Sequence, residues 1–184
     1  RLDAKKGGVS PLTSVQDLFK FYPELFDIVN VIKIDIPFMK DSGEMEPQDW
    51  QKIARSAKRI LDDSHIKGLI ITHGTDSLHY TSAALSFFLR DLGKPVVLTY
   101  AQRSIDRASS DANLNLKCAA LAAVSDIAEV MLVGHENSSD DFCIAIPGTK
   151  VRKLHCSKRD AFKPVNAKPF AKISSEKIEF LSNY

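Results

Sequence analysis

Apolar positions along the chain follow two alternating rhythms. Short apolar runs at 68–71, 95–100, 130–133 and 142–146 are bounded by Gly, Pro and polar turn residues, and read as strands. Between them the spacing turns helical. From Pro47, a residue suited to a first helical position, Trp50, Ile53, Ala54, Ala57, Ile60 and Leu61 recur at steps of three and four. Leu78, Leu85 and Leu89 mark a second helix over 76–92, closed by Gly93-Lys94-Pro95, and the Leu- and Ala-rich stretch 112–124 marks a third. A further helix is predicted over 14–22, with Val15, Leu18 and Phe19 on one face, and a strand over the Ile- and Val-rich 26–36. Residues 1–11 and 38–43 read as loop. Short strands separated by helices imply an α/β fold with a mostly parallel, doubly wound sheet, covered by helices on both faces. After Val151 the pattern lapses. The stretch 150–172 holds eight Lys and Arg residues, is broken by Pro164 and Pro169, and offers Phe162 and Phe170 as isolated apolar anchors. No final packed element is predicted.

Composition narrows this only a little. With 184 residues, 44% of them hydrophobic, the chain can build one domain with a sizeable core. A net charge of +2 is too mild to argue for nucleic acid. Three cysteines, Cys118, Cys143 and Cys156, form no close pair, which favours reduced thiols in a cytoplasmic protein over a disulfide framework or zinc site. No apolar run nears the roughly 20 residues that span a bilayer. The start at Arg1, in polar loop material, suggests a chain that has been cut.

Chemistry concentrates at the end of the second apolar run. Ile70-Ile71-Thr72-His73-Gly74-Thr75-Asp76-Ser77 carries a strand into a polar turn and on into a helix, the place where open α/β sheets put their sites. Phosphate-binding turns need several glycines there. This turn has one and the next, Ala101-Gln102-Arg103-Ser104, has none, so a nucleotide fold is disfavoured. Thr75 and Asp76 have an ordinary reading as helix caps. They also have a chemical one: a threonine hydroxyl becomes a nucleophile when a base takes its proton. Lys153 is a candidate base if it lies near that turn and out of bulk water, although a lysine in a basic stretch is more often simply solvated. The same stretch could meet RNA phosphates. His65, His73, His79, His135 and His155 show no metal-ligand spacing, and His73 lies beside the turn.

Thr72-His73-Gly74-Thr75-Asp76-Ser77 resembles a signature of the bacterial-type L-asparaginase and glutaminase family. Ser42-Gly43-Glu44-Met45, with Trp50 in the helix behind it, looks like the family's substrate-binding loop. Ala101-Gln102-Arg103-Ser104 resembles its turn after the third strand, and Val151-Arg152-Lys153 with Asp160-Ala161-Phe162-Lys163 its lysine segment. The stretches 79–87 and 107–112 resemble the branch formed by D subunits of archaeal Glu-tRNA(Gln) amidotransferases. The resemblance implies an asparaginase-like amidohydrolase domain over 1–184 and a two-threonine mechanism. Thr75, Asp76 and Lys153 would be catalytic. Ser42, Gly74, Thr75, Asp76 and Ala101 would bind glutamine or asparagine, Asp76 gripping the α-amino group and Ser42 the α-carboxylate. It further implies a homodimer, an E-type partner subunit using ATP and Mg to amidate Glu-tRNA(Gln), no cofactor in this chain and no membrane.

Three departures shape the expectation. The family's Thr-Gly-Gly-Thr motif, which carries the primary nucleophile and the first strand, is absent from these residues. The resemblance therefore implies an incomplete domain without the family's second one, inactive and weakly stable alone. Ala4 stands where the family's lid carries tyrosine. Tyr100-Ala101 replaces Gly-Ala, and the added ring is expected to narrow the pocket. A free-standing L-asparaginase, or a non-catalytic scaffold or tRNA-binding subunit, remains open at this point.

Overall fold

A computed structural model describes residues 2–3, 8–9 and 21–182. Strand β1 (Leu2–Asp3) pairs antiparallel with β2 (Gly8–Val9), where a loop was expected. The helix predicted over 14–22 and the departure at Ala4 lie outside the described residues, apart from Phe21 and Tyr22. Helix α1 runs Pro47–Leu61 and leads to strand β3 (Leu69–Thr72). Helix α2 (Leu78–Phe88), strand β4 (Val96–Thr99) and helix α3 (Ala112–Ala123) follow. Six strands complete the chain: β5 (Val130–His135), β6 (Cys143–Pro147), β7 (Val151–Lys153), β8 (Phe162–Pro164), β9 (Ala171–Ile173) and β10 (Ile178–Phe180).

The main sheet is ordered β10-β9-β6-β5-β4-β3. Strands β3, β4 and β5 are parallel neighbours, while β6, β9 and β10 are added antiparallel, so the sheet is mixed. Its strands sort side chains by the two-residue pleat. Val96, Leu98 and Leu132 face α1 and α2 with Ile53, Ala57, Leu78 and Leu85. Val97, Met131 and Val133 face α3 with Cys118, Ala119 and Ala122. Helices thus cover both faces, as the alternating pattern predicted. The small residues of α3 allow close approach: a Cβ on Gly68, just before β3, would stand 1.9 Å from the Ala123 carbonyl oxygen. Among the described residues no helix is long and apolar enough to cross a membrane.

Three expectations are corrected. The stretch 26–36 is not a strand. A 3-10 turn at Pro23–Asp27 consumes its start, and the remainder is irregular, with Ile32 56% exposed. Its alternation suits a strand, but no ladder partner lies beside it among the described residues. The basic stretch, read as unpatterned, forms the β7–β8 pair and adds β9 to the sheet, with β10 as a final paired element. Phe162 is a core residue, 1% exposed, rather than an isolated anchor. Arg159, Lys163 and Lys172 are ion-paired to Asp140, Asp160 and Glu136.

Candidate active site

Strands β3 and β4 run in register, Thr72 beside Thr99, so the turns that follow them leave the same end of the sheet together. The His73 N–H still donates to the Thr99 carbonyl at 3.0 Å, and the chain then departs at Gly74. Helix α2 begins only at Leu78, with Ser77 at the cap position and no side-chain cap hydrogen bond. Thr75 and Asp76 therefore do not cap the helix. Their polar atoms point elsewhere, and Lys153 meets them.

Lys153 ends β7, which is anchored by pairing with β8, Lys153 opposite Phe162. The buried Phe162 ring fixes that strand against the sheet. The lysine ammonium donates to Thr75 Oγ1 at 2.9 Å and to Asp76 Oδ1 at 2.7 Å. Its side chain is only 12% exposed, against 63% for Asp76. The ammonium is thus delivered from the protein side while the carboxylate opens to solvent. Chain segments 78 residues apart meet in one hydroxyl–ammonium–carboxylate cluster.

Ser42 closes the cluster from a third segment. A 3-10 turn at Ser42–Glu44, capped by Asp41 accepting from the Gly43 N–H at 2.8 Å, buries the serine. Ser42 Oγ accepts from the Asp76 N–H at 3.1 Å, which leaves its own hydroxyl hydrogen for another acceptor. This contact explains Gly74: a Cβ there would stand 2.5 Å from Ser42 Oγ. Thr75, Asp76, Lys153, Ser42 and Gly74 are thereby brought together.

Ala101 occupies the neighbouring turn, half-buried against Tyr22, Leu25, Ala112 and Leu116. Arg103 turns its guanidinium to Ser109 Oγ at 2.9 Å. The buried Asp111 carboxylate accepts from the Gln102 N–H at 3.0 Å and the Arg103 N–H at 2.9 Å, and from Asn115 Nδ2 at 3.4 Å. Tyr100 does not narrow a pocket. Its ring is 4% exposed, packs 4.6 Å from Phe162 and fills the space above Gly134, where a Cβ would stand 2.3 Å from the ring. Its hydroxyl donates to the Arg159 carbonyl at 2.7 Å.

Behind the first turn lies a chain of polar contacts that the sequence reading missed. His73 Nδ1 is 2.6 Å from the Gly74 carbonyl oxygen, its Nε2 is 2.9 Å from Thr81 Oγ1, and Thr81 accepts from Trp50 Nε1 at 2.9 Å. Burial pushes the His73 imidazole down, partly opposed by the Gly74 carbonyl. His79, next along the helix, is also pushed down, first by burial and then by the nearby Arg152 and Lys153 cations. The step of eight from His73 to Thr81 joins a turn to the second turn of a helix, a relation no single periodicity displays. The other histidines have local partners: His135 lies buried between Asn115 and Asp140, His65 beside Asp63, and His155 accepts from the Ser157 N–H.

The family model for asparaginase, N-terminal, matches residues 1–184. Among relatives, the D subunit of the glutamyl-tRNA(Gln) amidotransferase of Pyrococcus furiosus is 52% identical over 182 residues, covering 98% of this chain and 41% of that protein. The D subunit of the Archaeoglobus fulgidus amidotransferase is 45% identical over 184 residues, covering 99% and 43%. Among solved structures, the thermostable L-asparaginase from Thermococcus kodakarensis superposes with a TM-score of 0.80 at 30% identity, over 96% of this chain and 51% of that one. L-asparaginase I from Vibrio cholerae gives 0.77 at 30%, over 93% and 50%. The chain spans about two fifths of the length of these amidotransferase subunits. It belongs to the asparaginase family.

Proposed function

We propose, from that membership, that this chain carries the second half of a two-threonine amidohydrolase site. The site releases ammonia from glutamine within the D-type subunit of a tRNA-dependent amidotransferase. One observation carries the reading: the Lys153 ammonium within hydrogen-bond reach of both Thr75 and Asp76.

The chemistry follows from these groups. Asp76 and Ser42 hold the substrate's α-ammonium and α-carboxylate, which sets the side-chain amide over Thr75. Lys153, in its neutral form, accepts through the Thr75 hydroxyl the proton of the attacking threonine of the family's Thr-Gly-Gly-Thr motif. It returns that proton to the departing nitrogen, which leaves as ammonia. The acyl-threonine ester is then hydrolysed by a water whose proton takes the same path, restoring the hydroxyl. The backbone N–H of Thr75 is a donor for the oxyanion that forms at each stage. The ammonia serves amidation of Glu-tRNA(Gln) by an E-type partner, to which the ATP and Mg requirement belongs.

The 52% identity to an amidotransferase subunit favours glutamine and a partner-linked role over a free-standing asparaginase. Ammonia release by the full-length protein, offered glutamine or asparagine with and without partner and tRNA, is the test. Glutamine-dependent release is expected. Release from asparagine alone, unaffected by partner, would make it an asparaginase. No release from either amide would overturn the amidohydrolase reading.

A further inference from the structure

Three side chains join helices α1 and α2 to a single peptide group of the site. Trp50 Nε1 donates to Thr81 Oγ1 at 2.9 Å, Thr81 Oγ1 stands 2.9 Å from His73 Nε2, and His73 Nδ1 stands 2.6 Å from the Gly74 carbonyl oxygen. With the imidazole neutral, the form burial favours, one proton arrangement satisfies all three contacts. A carbonyl oxygen only accepts, so Nδ1 carries the ring hydrogen. An indole N–H only donates, so Thr81 accepts there and gives its single hydroxyl hydrogen to the bare Nε2. The neutral imidazole is therefore locked in one tautomer. Thr81 is fully buried, so water does not replace either of its partners.

The end of this relay is the peptide that joins Gly74 to Thr75. It is trans, since the described backbone holds no cis peptide bonds. In a planar trans peptide the N–H points opposite to the carbonyl. Holding the Gly74 oxygen on the His73 side consequently turns the Thr75 N–H away from it. The donor is presented from the same residue whose hydroxyl meets Lys153.

We propose that Trp50, Thr81 and His73 are positioning residues that aim the Thr75 N–H at the oxyanion formed during amide hydrolysis. This rests on the amidohydrolase reading above and assigns to it three residues outside the Thr75, Asp76, Lys153 and Ser42 set. They touch no substrate and act through the Gly74–Thr75 peptide. A donor aimed in advance stabilises charge that exists only in the transition state, so its loss falls on turnover and spares ground-state binding. Asp76 and Ser42, assigned above to the substrate, bond to each other, and Asp76 to Lys153, outside the Trp50–Thr81–His73 chain.

The test uses the full-length protein with glutamine as substrate. Thr81→Val preserves shape and removes the hydroxyl. It is expected to lower kcat roughly ten-fold or more, short of the ~10²–10³ for outright loss of an oxyanion donor, with KM within about two-fold. Thr81→Ser restores kcat. His73→Asn, whose side-chain amide nitrogen takes the place of Nδ1, retains more activity than His73→Leu. Should Thr81→Val fail to fold, Trp50→Phe removes the donor at the far end, and a several-fold kcat loss is expected there. Long-range proton–nitrogen NMR of the His73 ring reads the tautomer without any turnover, and hydrogen on Nδ1 is expected. Hydrogen on Nε2, an unchanged kcat in the Thr81→Val and Trp50→Phe proteins, or equal impairment of the Val and Ser variants would overturn the relay while leaving amide hydrolysis standing. A wild-type protein inactive on both amides would overturn the two readings together.

Discussion

Two turns leave the sheet side by side, at the carboxyl ends of β3 and β4, and they are held differently. In the turn after β4 the backbone donors are used up from below, where the buried Asp111 carboxylate accepts from the N–H groups of Gln102 and Arg103. In the turn after β3 His73 holds the Gly74 carbonyl and Ser42 the Asp76 N–H, while the Thr75 hydroxyl and the Asp76 carboxylate meet an incoming ammonium. The first arrangement freezes a loop. The second leaves groups free to act on a bound molecule. Which backbone atoms the scaffold consumes, and which it leaves, sets what each turn can offer a bound molecule.

Removing the support of each turn separates the two roles. Asp111→Ala strands two backbone donors beside a buried residue, each costing about 1–3 kcal/mol. It is expected to lower unfolding stability of the full-length protein by roughly 3 kcal/mol, read from urea denaturation. A loss under about 1 kcal/mol would show that the turn after β4 is held by something other than this carboxylate.

The turn after β3 should show a smaller dependence, and one set by pH. Burial depresses the His73 imidazole in the folded protein, so the neutral ring is favoured there and the unfolded chain takes up the proton more readily. The contribution is fully present above the ordinary imidazole value of about 6.5, and is lost as pH falls below it. His79 shifts the same way, so a variant isolates the His73 share. Urea midpoints at pH 7.5 and 5.5 should fall further for wild type than for His73→Asn. Equal falls would remove His73 from the account.

The sequence displayed the apolar elements well because the central strands are buried on both faces and so read as continuous apolar runs. Val96, Val97 and Leu98 are all buried, yet serve two different faces. It misplaced 26–36, where β-branched alternation specifies a willingness to pair but not a neighbour. It also overlooked β7 to β10, strands of three residues too short to show a period. At the site, Thr75, Asp76 and Ser42 stood out because their motif names them. Lys153 stood out only by resemblance, since nothing in a run of cations distinguishes the one that folds inward. Tyr100 shows the reverse error. A large side chain next to a motif was assigned to the pocket, when Gly134 on the adjacent strand had left room for it in the core. The Trp50–Thr81–His73 contacts could not be read at all, because they exist only once two helices and a turn are packed.

Thr75 and Lys153 are expected to work as one unit in amide hydrolysis. A double-mutant cycle on ammonia release from glutamine by the full-length protein, using Thr75→Val, Lys153→Met and the pair, tests it most directly. Each single change is expected to lower kcat by roughly 10³-fold or more, and the double variant to be hardly worse than either. Losses that multiply, or a Lys153→Met protein with near-normal turnover, would contradict it.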